Sequence, residues 1–113
     1  MGYYTFHTLS ILNADEGMEG QIIEEFREEC EEAEYALEDD GSGTQSTKWY
    51  DSDRDVARFS RKYPELIFKL HGEGEENDDL WNRYFVDGQM QVCEAKITYD
   101  EFDPAKLKQV VGI

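Results

Sequence analysis

Residues 80–98 read LWNRYFVDGQMQVCEAKIT, and this stretch decides the fold class. Aromatic and β-branched residues crowd both halves, which suits a pleated, half-buried ribbon. Between the halves stands Asp87-Gly88, a pair favoured in two-residue type I′ turns. The turn predicts strands over 80–86 and 89–98. It sets Phe85 opposite Met90, Arg83 opposite Val92, and Trp81 opposite Glu94.

Upstream, 72–79 (GEGEENDD) reads as an acidic turn. Before it, 65–71 alternates Leu66, Phe68 and Leu70 against Ile67, Lys69 and His71, the period of a strand. Residues 3–12 (YYTFHTLSIL) form another strand with apolar groups on both faces. Between them, 16–38 carries Met18, Ile22, Phe26, Cys30, Ala33 and Leu37 at spacings of three and four, one face of a helix. Asn13 or Asp15 is placed to cap it. The loop 39–46 (DDGSGTQS) separates this helix from a short strand at Thr47–Tyr50. Ser52 opens a second helix with Val56, Phe59 and Tyr63 inward, and Pro64 ends it. Asp103 and Pro104 cap a short last helix ending near Val110.

The resulting order is β-α-β-α-β-β-β-α over one domain, residues 1–113. The predicted class is α+β, with a mainly antiparallel sheet, the first strand central and two helices packed on one face, ferredoxin-like.

Charge bounds the function. Twenty-seven acids against eleven bases give a formal net charge of −16. Such a chain repels nucleic acid and anionic membranes, so direct binding to either is unexpected and a basic protein surface is the natural partner. Thirteen acids lie within 15–40 and five within 73–79, while six of the eleven bases lie within 48–69. Most charge runs are solvated faces. The sharper expectation is a binding surface made of Glu24, Glu25, Glu28, Glu31 and Glu32 on the helix, with Glu73, Glu75, Glu76, Asp78 and Asp79 on the turn. Carboxylates one helical turn apart are about 5–6 Å from each other. That approximates successive phosphates of a nucleic acid strand, as in proteins that mimic DNA. Trp81, Tyr84 and Phe85 are the aromatic candidates beside the turn, Trp81 foremost.

Catalytic patterns are weak. His71 and Glu73 form an H-x-E without the later P-C-x-x-C that zinc deaminases need. His7, His71 and Glu73 would make a metal or acid–base set if their strands bring them together, which no spacing fixes. Gly72-Glu73-Gly74 carries too much negative charge to cradle phosphate. Neither acidic loop matches the calcium-loop pattern. Cys30 and Cys93 have no metal spacing and no basic neighbours in sequence; they fit a reducing compartment. No catalytic residue, metal or cofactor is expected. The start MGYYTFHTLSIL lacks a signal peptide's basic region, and no apolar run is long enough to span a bilayer, so a cytoplasmic location is expected.

The segments MGYYT, KWYD, FSRKYPELIFKLHGEGEE and WNRYFVDGQMQ resemble small uncharacterised acidic proteins encoded by bacteriophages and prophages. The likeness rests on Trp49, Tyr50, Phe59, Tyr63, Pro64, Gly72, Glu73, Gly74, Trp81, Tyr84, Phe85 and Gly88. It implies a ferredoxin-like layout and an accessory role in a bacterial host, and it brings no catalytic residues. The expected function is a non-enzymatic protein that engages a basic surface of a host protein. A small enzyme built on His7, His71 and Glu73, or a subunit of a homo-oligomer, are the alternatives.

Overall fold

A computed structural model describes residues 2–113. Four strands, β1 (Thr5–Ile11), β2 (Phe68–Gly74), β3 (Leu80–Val86) and β4 (Gln89–Glu94), combine with three helices, α1 (Met18–Glu29), α2 (Glu31–Ala36) and α3 (Ser52–Ser60). The fold is α+β. The sheet runs β1-β2-β3-β4 with every neighbouring pair antiparallel. Each strand therefore lies beside its neighbour in sequence, and β1 stands at an edge instead of the centre.

Alternation along the strands defines an apolar side. Leu9 opposes Leu70, Ile11 opposes Phe68, and Phe68 opposes Phe85. These residues join Ile22, Ile23 and Phe26 of α1, Ala33 and Ala36 of α2, Val56 and Phe59 of α3, and Trp49 in one buried cluster. Each large side chain removed from water contributes roughly 1.5–3 kcal/mol. Repulsion between glutamates one turn apart costs only about 0.2–0.5 kcal/mol per pair. The three buried residues of α1 thus outweigh its crowded charge.

The hairpin forms as its turn chemistry predicts. Asp87 and Gly88 take φ of 48° and 81°, the left-handed pair that a type I′ turn requires. Phe85–Met90, Arg83–Val92 and Trp81–Glu94 are the observed partners. β4 ends at Glu94 instead of residue 98. The Ala95 amide donates to the Leu80 carbonyl, and β3 begins at Leu80, so nothing remains beyond it to pair with.

Five other expectations need correction. The helix over 16–38 is broken at Cys30, whose backbone is extended (φ −133°, ψ 109°). Tertiary contacts hold the break: the Arg27 Nε donates to the Leu37 carbonyl at 2.9 Å, and the Cys30 thiol meets the Asp55 carboxylate. Neither Asn13 nor Asp15 supplies a side-chain cap to α1. The Asn13 side chain instead bridges the Glu65 carbonyl and the Ile67 amide, which delays β2 until Phe68. Of the strand at Thr47–Tyr50 only an isolated bridge, Thr5–Thr47, survives, because the Tyr50 and Ser52 amides turn back onto Lys48 and Trp49 to start α3. The last helix shrinks to one 3-10 turn, Pro104–Lys106, capped by Asp103. A segment this short, with none of its residues buried, gains too little to propagate a helix.

Candidate functional site

Helices α1 and α2 carry the acidic face, and the core side of each fixes which carboxylates point outward. Burial of Ile22, Ile23 and Phe26, then of Ala33 and Ala36, leaves Glu28, Glu31 and Glu32 exposed. The break at Cys30 divides this row, so the acids do not run along one straight rod.

Part of the face is neutralised from within the molecule. Arg27 pairs with Glu24 at 2.8 Å, and Lys62 of the segment after α3 lies 3.3 Å from Glu25 and 2.5 Å from Glu29. The Tyr63 hydroxyl also donates to Glu25, which lowers that carboxyl's pKa and raises the phenol's. Glu29 and then Glu25 raise the pKa of Lys62. Glu24 and Glu25 are therefore partly structural. Glu28, Glu31 and Glu32 have no ion pair among the described residues. Glu28 also borders a shallow groove completed by Gly20, Gln21, Asp39 and Asp40.

The acidic turn between β2 and β3 has a divided role as well. Glu75 accepts the Tyr4 amide at 2.6 Å, and Asp79 accepts the Tyr3 hydroxyl at 2.6 Å, a bond that raises the pKa of Tyr3. Glu73 does not belong to the turn: β2 runs on through Gly74, and Glu73 lies 3.1 Å from His71 of the same strand. Glu76 and Asp78 remain with exposed carboxylates.

Sequence reasoning missed a group of tyrosines between the two acidic regions. Tyr4, held to the turn through Glu75, borders a groove with Glu32, Tyr35, Thr47 and Lys48. The Tyr50 hydroxyl accepts the Tyr3 amide at 2.8 Å. Tyr4, Tyr35 and Tyr50 are 41%, 59% and 64% exposed. A phenol can contribute apolar area and a hydrogen bond at low entropic cost, which is why tyrosine is enriched in interfaces. The sequence did contain the signal: Tyr35 lies off the apolar stripe of its helix.

The aromatic candidates on the hairpin lie elsewhere. Phe85 is fully buried. Trp81 is half-buried, with the Arg83 guanidinium stacked 3.8 Å from its ring and His7 against its edge.

His7, His71 and Glu73 do not assemble. In the register His7 opposes Gly72 while His71 opposes Thr8, so the two imidazoles leave neighbouring strands on opposite faces. His7 is 1% exposed between Trp49 and Trp81, and its Nδ1 has no partner. Burial, then the Arg83 charge, holds its pKa down to about 4. His71 lies on the other face, with Nδ1 2.8 Å from the Asn82 side chain.

One convergence was not anticipated. Sγ of Cys30 and a carboxylate oxygen from each of Glu32 and Asp55 lie within 4.8 Å of one another. They line a cleft of about 250 Å³ with Phe26, Arg58 and Phe59. Asp55 already accepts the Trp49 indole N–H at 2.8 Å and pairs with Arg58 at 3.3 Å. Burial, reinforced by Asp55 and Glu32, pushes the Cys30 thiol up to about 12. These are ligands a soft divalent cation could use, but the thiol is held protonated and is a poor nucleophile.

No family model, characterised protein or solved structure matches the chain. Among the described residues, no helix is long and apolar enough to cross a membrane.

Proposed function

We propose that the chain is a non-enzymatic interaction protein, phage-encoded, that acts in the bacterial cytoplasm by docking on a basic surface of a host protein. The observation that carries this reading is the groove where the exposed rings of Tyr4 and Tyr35 meet Glu32, with unneutralised Glu28 and Glu31 exposed on the same pair of helices. Carboxylates steer a basic partner and set its orientation; the exposed tyrosines, once covered by that partner, supply the contact energy. Glu76 and Asp78 extend the negative field past Tyr4. The surfaces that fit are those that otherwise hold nucleic acid, as in host nucleic-acid-binding or defence proteins, so the domain acts there as a mimic and an inhibitor. The resemblance of its segments to small phage-encoded proteins supports this context; it does not extend to the strand order, which is β1-β2-β3-β4.

The test is capture of proteins from host lysate by the tagged chain, run beside the variant Glu28→Lys/Glu31→Lys/Glu32→Lys. Wild type retains a basic protein at low salt and the folded variant releases it. Equal retention by both proteins removes the reading.

A further inference from the structure

The formal charge of −16 is unevenly placed. Residues 1–79 carry 22 acids and 7 bases, whereas residues 80–113 carry 5 acids and 4 bases. The hairpin and the segment after it are thus nearly neutral. They form a region where two such chains can meet without strong repulsion.

That region also leaves apolar groups uncovered. Val92 and Met90 share the core-facing side of the sheet through their partners Arg83 and Phe85. The helices cover them only in part, and they stay 44% and 43% exposed. The other edge of β4 has no partner strand. Its sequence, QMQVCE, has none of the lysines, prolines or bulges that usually protect a free edge.

Residues 95–113 then leave the body. The radius of gyration is 18.0 Å, against about 13 Å for a compact chain of this length. Along this arm Ile97, Tyr99, Phe102, Leu107, Val110 and Val111 are each more than half exposed. Three lysines balance three acids in it. An apolar, neutral arm beside an uncovered face and an unprotected edge is self-complementary when two copies are related by a two-fold axis.

We infer that the hairpin and the arm 95–113 form a homodimer interface: the free edge of β4 meets the same edge of a second copy, and each arm lies across the other copy's Met90–Val92 face. The acid–tyrosine surface lies on residues 4–78, outside this region, so the dimer presents it twice.

Light scattering on the full chain reads this directly. The expected mass is twice 13.2 kDa. Because the contact is nearly neutral, the dimer persists or tightens at high salt, opposite to charge-driven partner binding. Two full-length variants locate the interface, Met90→Lys/Val92→Lys on the face and Phe102→Asp/Val111→Asp on the arm. Each is expected to run as a monomer. The arm positions lie outside the buried cluster, so the second variant remains informative even where the first fails to fold. A monomeric wild type at the highest concentration reached overturns the inference, and so does a dimer that survives the arm variant. A face variant that folds and stays dimeric overturns the assigned seat. Loss of host-protein capture with the dimer intact would count only against the acidic surface.

Discussion

The Ser60 hydroxyl accepts the Gly88 amide at 2.8 Å and donates to the Ala57 carbonyl at 2.7 Å, tying the end of α3 to the hairpin turn. Ser60 is fully buried. Replacing it with alanine leaves the Gly88 amide without its partner in a partly buried place. Ser60→Ala should lower stability by about 1–3 kcal/mol, the cost of an unsatisfied buried donor. Urea unfolding checks this; an unchanged midpoint would mean that water replaces the hydroxyl.

Two glycines should respond to alanine with opposite sign. A Cβ on Gly72 would lie 2.1 Å from the Trp81 ring, whereas one on Gly20 meets nothing within 4 Å. Gly72→Ala forces the indole from its seat and should cost about 1–3 kcal/mol. Gly20→Ala, inside α1, should stabilise by roughly 0.5–1 kcal/mol by limiting the unfolded chain. Thermal unfolding of the pair gives both signs in one experiment.

Acid should act through His7. Its pKa is about 4 in the fold against 6.5 in a model peptide. Between these values the unfolded chain takes up a proton that the folded chain refuses, so this residue's contribution is complete above pH 6.5 and fades as pH falls to 4. The whole effect is on the order of 3 kcal/mol. Protonation of surface acids relieves self-repulsion over the same range, so the readable quantity is the difference between wild type and His7→Leu. That difference should shift in favour of the variant as pH falls; a flat difference across the window contradicts the assignment.

The cysteines should differ in reactivity. With its thiol near 12, Cys30 is almost entirely protonated at pH 8. Iodoacetamide followed by peptide mapping should label Cys93 first and Cys30 slowly in the native protein, and both together in denaturant. Early labelling of Cys30 would show that the Asp55 contact is open in solution.

Local chemistry was legible where it acts over a few residues. Asp87-Gly88 set the hairpin and its register because a two-residue turn leaves no other pairing. The stripe through Ile22 and Phe26 located α1. What the sequence hid depends on distant partners. Nothing near Cys30 breaks a helix; the bend is held by Arg27 on Leu37 and by Asp55. β1 was expected in the centre because its βα unit leads to a neighbouring strand, but the connection alone does not say whether a strand has one neighbour or two; β1 has one. The acidic face was visible as composition. Its partial neutralisation was not, since Lys62 lies 33 residues from Glu29 in the chain. The tyrosine cluster emerged only when β1 and β2 brought Tyr4 to Glu75.

The most direct test of the acidic surface is the affinity of the captured host protein for the purified chain, titrated over a range of salt. If Glu28, Glu31 and Glu32 make the contact, affinity falls steeply as salt rises, and Glu28→Lys/Glu31→Lys/Glu32→Lys abolishes binding at low salt while unfolding cooperatively like wild type. Affinity indifferent to salt and to the triple substitution would contradict the account.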